Sequence, residues 1–355
     1  MYPRLLIHLG RIEENAKRIV ELARRFNVDL VGITKVVLGD PRIARAMVKA
    51  GIRTLGDSRL LNIQRMRDNG VNARFQLIRL PMISELELVA ELVDCVLVSE
   101  LRTIEALNEV LESKGRKMDI IYMVDIGELR EGAWYKEAVE EIVKVIKYEN
   151  VRLIGIGTNL GCLNGVLATP QNLSILLEIR DKLAGLGVDI PLISAGNTST
   201  LLLMENNTLP KGINQFRVGE AIVLGTDVTR DRKIEMLRQD TMELQAEILE
   251  LKSKPSRPLG ELNKDAFGRK TVVKDRGIRK RAILALGEQD VMYTGLYPLM
   301  SGIEVIRASS DHLVVDVTDS EKNWKVGDII SFRVSYGALL RSMTSPYVEK
   351  VYIDD

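Results

Sequence analysis

The stretch Leu30–Asp40, LVGITKVVLGD, decides how this chain is read. It is an apolar, β-branched run with a glycine toward each end, the composition of a strand buried on both faces in a parallel sheet. At the end of that run, Leu30–Val36, stands Lys35. A lysine at the end of a buried strand loses hydration, which favours the neutral amine that can form a Schiff base. The plain alternative is a strand-end lysine that reaches water.

Outward from this stretch, apolar runs alternate with amphipathic ones as far as Gly225. Strands are expected at Leu30–Val36, Thr54–Asp57, Phe75–Leu80, Cys95–Ser99, Ile120–Asp125, Leu153–Asn159, Pro191–Asn197 and Phe216–Leu224. Helical patterns fall between them at Pro41–Ala50, Leu60–Asp68, Leu101–Ser113, Glu137–Tyr148 and Gln171–Ala184, many ending near Gly or Asn as helix C-caps do. Eight strands, each followed by a helix, are the count of a (β/α)₈ TIM barrel. A doubly wound sheet needs fewer strands and often a Gly-rich first turn, which does not follow Leu30–Val36. Past Gly225 the helical period fades. The runs Leu244–Leu251, Arg281–Leu286, Gly302–Arg307, Leu313–Val317 and Asp328–Tyr336 read as strands of a second, mostly antiparallel β domain. The expected division is a barrel over 10–225 and a β domain over 226–355 joined by residues 1–9. The basic run RGIRKR, Arg276–Arg281, reads as a solvated turn or interface patch.

Bulk properties exclude several classes. The 50 Lys and Arg residues against 49 Asp and Glu leave a net charge of +1, so no basic field recruits nucleic acid or an acidic membrane. The opening MYPRLLIHLGR lacks a secretory signal pattern and no apolar run reaches bilayer length, so a cytoplasmic location is expected. With two cysteines and two histidines, neither a disulfide framework nor a zinc centre is expected.

Barrel chemistry gathers at the C-terminal ends of the strands. The residues expected there are Lys35, Asp57, Arg79, Ser99, Asp125, Arg130, Thr158, Asn159, Asn197, Thr198, Ser199, Arg217 and Gly219. Thr198, Ser199 and the backbone at Gly219 are short donors suited to a phosphate, and a helix starting near Thr200 would add its amides. Each has a plainer reading: Asn197-Thr198-Ser199 is a good helix cap, Arg217 a surface ion pair, Asn159 a loop cap.

Taken in order, these segments resemble the fold-type III pyridoxal-phosphate enzymes of the alanine racemase class, and within it the ornithine/lysine racemase branch. The resemblance spans nearly the whole chain. GITKVVLGD is similar to the family's lysine segment, which implies that Lys35 bonds the cofactor. VDIGELREG, Val124–Gly132, resembles the V-D-x-G-x-x-R-x-G pattern and implies that Arg130 sits near the cofactor's phenolic oxygen. GIGTNLGC puts Asn159 where alanine racemases usually carry histidine. SAGNTST implies a phosphate-binding turn with Thr198, and FRVGEAIVLG implies Arg217 at the pyridine nitrogen, with amides of Gly219 and Glu220 on the phosphate. In the second domain ASSDHLVVDVTD implies a substrate-binding pair Ser310-Asp311, and SYGALLRSMTSP puts Tyr336 on the phosphate.

The implied activity is interconversion of L- and D-amino acids, with Lys35 as base on one face. An arginine opposite the pyridine nitrogen can only donate, which favours returning a proton over decarboxylation or transamination. The second base is a departure. Where alanine racemases place a tyrosine from the partner subunit, KDAFG, Lys264–Gly268, offers Phe267, which moves no proton. Asp265 is the candidate there, with Cys162 and Tyr293 behind it. Met123 stands where many alanine racemases have a modified lysine. The branch implies a diamino acid such as ornithine or lysine, whose distal ammonium needs a carboxylate from among Asp265, Asp275, Asp311 and Glu128. The resemblance also implies a head-to-tail homodimer with shared sites. The rival readings are an alanine or broad-specificity racemase, a non-catalytic pyridoxal-phosphate carrier, a decarboxylase, a zinc-assisted aldolase or dehydratase, and an unrelated ligand-binding barrel.

Overall fold

A computed structural model describes residues 1–270 and 272–354, so positions 271 and 355 of the expected second domain lie outside the described residues. The chain divides into two compact units, Leu9–Gln239 and a second formed by Met1–His8 with Asp240–Asp355. The first boundary lies beyond the expected one. Residues 226–239 stay with the barrel because Asn15 holds them: its side chain donates to Arg238 O (2.9 Å) and accepts from Arg238 N (2.7 Å).

In the first unit β1 (Asp29–Ile33), β2 (Thr54–Asp57), β3 (Arg74–Leu77), β4 (Cys95–Val98), β5 (Met118–Asp125), β6 (Val151–Gly157), β7 (Leu192–Gly196) and β8 (Gln215–Val218) pair in parallel. Their order is β4-β3-β2-β1-β8-β7-β6-β5, and a β4–β5 pairing closes the ring. Wholly buried strands such as Cys95–Val98 and Met118–Asp125 reflect a sheet whose outer face is covered by helices. One helix, Pro41–Lys49, shows the local logic: Asp40 caps it by accepting from Arg42 N (2.9 Å) and Ile43 N (3.3 Å), and Pro41 occupies its first turn. Two expectations need correction. Leu30–Val36 is strand only to Ile33, and Lys35 opens a 3₁₀ turn, Lys35–Val37. Phe216–Leu224 is strand to Val218, then a short helix, Glu220–Leu224.

The second unit is an antiparallel sheet built on the long strand Met242–Pro255, which pairs with Ile278–Leu284 on one side and Ile329–Val334 on the other. The N-terminal strand Arg4–His8 also pairs with it, and takes Glu349–Ile353 as a parallel neighbour. Features not foreseen include these two terminal strands, the short strand Leu296–Pro298 and the helix Tyr336–Thr344. The RGIRKR run starts in an exposed bend at Arg276-Gly277 and then enters strand Ile278–Leu284, with its arginines engaged. Arg279 pairs with Asp316 (2.7 Å), Arg276 with Glu304, and Arg281 donates to Ser256 O (2.9 Å). No helix among the described residues is long and apolar enough to cross a membrane.

Candidate active site at the C-terminal rim of the barrel

The strand ends are fixed before any chemistry is considered. Thr34, just past β1, donates its backbone N–H to Gly56 O (3.0 Å) and its hydroxyl to Asp57 (2.7 Å). Asp57 also accepts from Asn62 (2.9 Å) and Arg59 N (3.0 Å), so this buried carboxylate pins the turn. Burial raises its pKa against those hydrogen bonds. The turn reverses at Leu38 (φ 55°) and Gly39 (φ 59°), where a Cβ would stand 2.7 Å from Asn62 O, so only glycine fits. Lys35 is thereby held at the rim, exposed on this unit and not sealed as a strand-end lysine would be.

On the neighbouring strand, β8 brings Arg217 inward. It is 6 % exposed, and its Nη1 donates to Ser194 O (2.7 Å) and to the Ser194 hydroxyl, while Nη2 donates to Thr158 O and Asn159 Oδ1 (2.8 Å). Loss of hydration pushes its guanidinium down to about 10, against the pull of Glu131. This is a buried arginine with both terminal nitrogens engaged, not a surface ion pair.

Next to it, the turn after β7 and the one after β8 converge. Asn197 caps Thr198–Thr200 by accepting from Ser199 N (2.9 Å) and the Ser199 hydroxyl (2.8 Å). Thr198 is buried, and its hydroxyl accepts from Ala221 N (3.2 Å) at the start of Glu220–Leu224. A Cβ on Gly219 would lie 3.0 Å from Ile33 Cβ, so the backbone here approaches β1 closely. The Glu220 side chain turns away to accept from Thr226 Oγ1 (2.7 Å) and Val228 N (2.9 Å), and burial pushes it up to about 7.

The loops after β5 and β6 complete the rim. Asp125 accepts from Gly127 N (2.8 Å) and Leu129 N (3.2 Å), which curls the chain and delivers Arg130 and Glu131. Glu131, unnamed in the sequence reading, lies between Arg130 and Asn159, pairing with the first (Nη2 2.5 Å) and accepting from Nδ2 of the second. Burial lifts its pKa, but the bond and charge of Arg130 outweigh that and hold it below the usual range. Its visible signal was a carboxylate adjoining Arg130. Glu128 accepts from the backbone of Gly161 (3.1 Å), Cys162 (2.8 Å), Leu163 (2.5 Å), Asn164 (2.8 Å) and Val166 (3.1 Å). Burial opposes its charge, yet those amides bring it down to about 2. Its lone pairs are spent on the loop, so it is corrected from a substrate carboxylate to a loop anchor. The Cys162 thiol lies beside Arg130. Met123 packs in the apolar cluster with Cys95, Leu97 and Ile121. Arg79 pairs with Glu85 (2.8 Å), and Ser99 O accepts from Tyr122 (2.9 Å), so both serve the scaffold.

The β domain carries the other candidates. Asp265 accepts from Phe267 N (2.9 Å) and Arg269 N (2.9 Å) and pairs with the Arg269 side chain (2.9 Å). Those bonds hold it below the usual carboxylate range, which suits an ion pair and not a proton acceptor. Arg269 stacks over Phe267 and Tyr293, with ring centroids 4.8 and 5.4 Å away. Ser310 donates to Asp311 (3.3 Å), and Asp311 pairs with His312 (2.9 Å) in an exposed group. Asp275 accepts from Gly277 N (2.9 Å) in a turn. Tyr336 opens its helix behind Ser335, which accepts from Ala338 N (3.3 Å).

Residues 7–227 match the family described as alanine racemase, N-terminal domain. The chain belongs to the alanine racemase family. It is 50% identical over 353 residues to the lysine racemase of Thermotoga maritima and 40% identical over 352 residues to the ornithine racemase of Acetoanaerobium sticklandii, each alignment covering 99% of both chains. Among solved structures, the alanine racemase of Streptomyces coelicolor superposes with a TM-score of 0.77 at 18% identity, covering 99% of this chain and 98% of that one. A D-threonine aldolase from Filomicrobium marinum gives 0.72 at 16%, covering 97% and 92%. At such low identity these superpositions speak for the fold alone.

Proposed function

We propose that the protein is a pyridoxal-phosphate-dependent racemase of a basic amino acid, lysine or ornithine. The observation that carries this reading is 50% identity across 99% of both chains to a lysine racemase, joined to a barrel rim that bears Lys35, Thr198 and Arg217. The residues fit the cofactor. The close approach at Gly219 and the buried Thr198 hydroxyl beside the amides of Gly219 and Glu220 suit a cradle for a phosphate. When bound, the cofactor takes up the electron pair left as the substrate loses its Cα proton.

The chain supplies the rest. Lys35 Nζ removes and returns a proton on one face. Arg217 has committed Nη1 and Nη2 to the barrel, which leaves Nε–H to donate toward the ring nitrogen, and a guanidinium there cannot hand over its proton. Arg130 offers charge at the phenolic oxygen. Asn159 fixes Arg217. On the second face, Cys162 beside Arg130 is better disposed to move a proton than Asp265, whose carboxylate is held by Arg269. Ser310 and Asp311 of a second copy receive the substrate in a homodimer with shared sites, and the protein works in the cytoplasm.

A screen of all L-amino acids against purified protein with added pyridoxal phosphate tests the reading. D-lysine or D-ornithine should accumulate, and Lys35→Ala should abolish both turnover and the visible absorption of the bound cofactor. Carbon dioxide release in place of racemisation, or a preference for alanine, overturns the substrate and reaction assigned here.

A further inference from the structure

The two guanidinium groups at the rim, Arg130 and Arg217, repel one another, and Arg130 contributes to the lowered pKa of Arg217. One carboxylate lies between them. Glu131 takes Arg130 in a two-pronged pair, Nε on Oε2 and Nη2 on Oε1 (2.5 Å), and the same Oε1 accepts from Asn159 Nδ2, while Asn159 Oδ1 accepts from Arg217 Nη2 at 2.8 Å. The run is therefore Arg130, Glu131, Asn159, Arg217, every member in the barrel unit. A side-chain amide has a donor end and an acceptor end, and hydrogen bonding alone decides which way it faces. Here an acceptor-only carboxylate stands on one side and a donor-only guanidinium on the other, so a single orientation of Asn159 satisfies both.

We propose that Glu131 is a positioning residue whose carboxylate aims both arginines, Arg130 directly and Arg217 through the forced orientation of Asn159. The inference rests on the pyridoxal-phosphate reading above. Through it the two ends of the cofactor ring, the phenolic oxygen and the nitrogen, are held by one anion. Replacing Glu131 by glutamine breaks this logic without changing shape. Whichever way its amide turns, a glutamine sets an NH₂ against a donor: against Arg130 Nε, or against both Arg130 Nη2 and Asn159 Nδ2, in which case Asn159 flips and Arg217 loses its acceptor. Aspartate keeps the charge but is one methylene shorter.

The experiment uses holoenzyme of the parent, Glu131→Gln and Glu131→Asp. Expected for Glu131→Gln are a shifted absorption maximum of the bound cofactor, an affinity for pyridoxal phosphate about tenfold weaker, and kcat lowered by about 10²-fold with a smaller change in KM. Keto acid formed per racemisation should rise, the unfolding midpoint should stay within a few degrees of the parent, and Glu131→Asp should recover part of the spectrum and of kcat. An unshifted spectrum and unchanged keto-acid yield in Glu131→Gln overturn the positioning role. So does a loss of activity that follows a collapsed unfolding midpoint and is not restored in Glu131→Asp. A parent protein that shows no lysine-linked cofactor absorption overturns instead the reading on which the proposal stands, so the two failures are told apart.

Discussion

Arg217 carries the sharpest residue-level consequence. It is buried without a carboxylate of its own, and its charge is balanced by carbonyls of Ser194 and Thr158 and by Asn159. On the function proposed above, a guanidinium that keeps its proton would leave the ring nitrogen without one. Arg217→Glu reverses this, because a carboxylate stabilises a protonated nitrogen. The expected result is racemisation lowered by about 10²-fold or more together with a higher ratio of keto acid to D-amino acid, followed by chromatography of single-turnover mixtures. A variant with the parent's product ratio would remove the account of reaction choice. At this scale the sequence was informative where a residue type is rare in its setting, as with Lys35 after an apolar run or Arg217 within one. It gave Glu128 a different role and left Glu131 unnamed, since the partners that fix them lie some 28 to 38 positions away.

At the level of elements, the loop over residues 160–166 depends on Glu128 as a helix depends on its cap. Five backbone amides converge on one carboxylate, and Asn164 closes the far side by donating to Glu128 O (2.6 Å). Glu128→Gln leaves one acceptor oxygen for those amides and turns an NH₂ toward them, with an expected cost of about 2 kcal/mol, read as a lower midpoint in denaturant. The sign with pH follows from the depressed pKa. The folded value, about 2, lies below the unfolded one near 4.5, so the contribution is complete above about pH 4.5 and is lost as pH falls toward 2. The gap in midpoint between parent and Glu128→Gln should therefore narrow on acidification across that window, and a gap independent of pH would contradict the anchoring role. Element boundaries in the sequence erred for physical reasons. FRVGEAIVL is apolar at both strand and helix periods, so nothing local marks the change at Gly219. The terminal strands are short, and Arg4–His8 pairs with Glu349–Ile353 at the opposite end of the chain, a closure that no local pattern encodes.

For the whole molecule, the barrel bears Lys35, Arg130, Thr198 and Arg217, while Ser310, Asp311 and Tyr336 lie in the unit formed by the chain's two ends. The alternation of strand and helix made the barrel legible, and the fading of that period made the β domain legible. How the units of two chains combine is not written in any periodicity. If sites are shared within a symmetric dimer, substitutions on different chains complement one another. Lys35→Ala and Asp311→Ala should each be nearly inactive alone. Refolded together at equal amounts, half of the dimers are mixed, and each mixed dimer holds one site with both native residues and one with neither. The expected recovery is about a quarter of the parent's activity, measured as racemisation of lysine or ornithine on the dimer fraction from size-exclusion chromatography with light scattering. If the mixed dimers form and recover nothing, Lys35 and Asp311 serve one site from the same chain. If the active protein elutes as a monomer, the shared arrangement falls altogether.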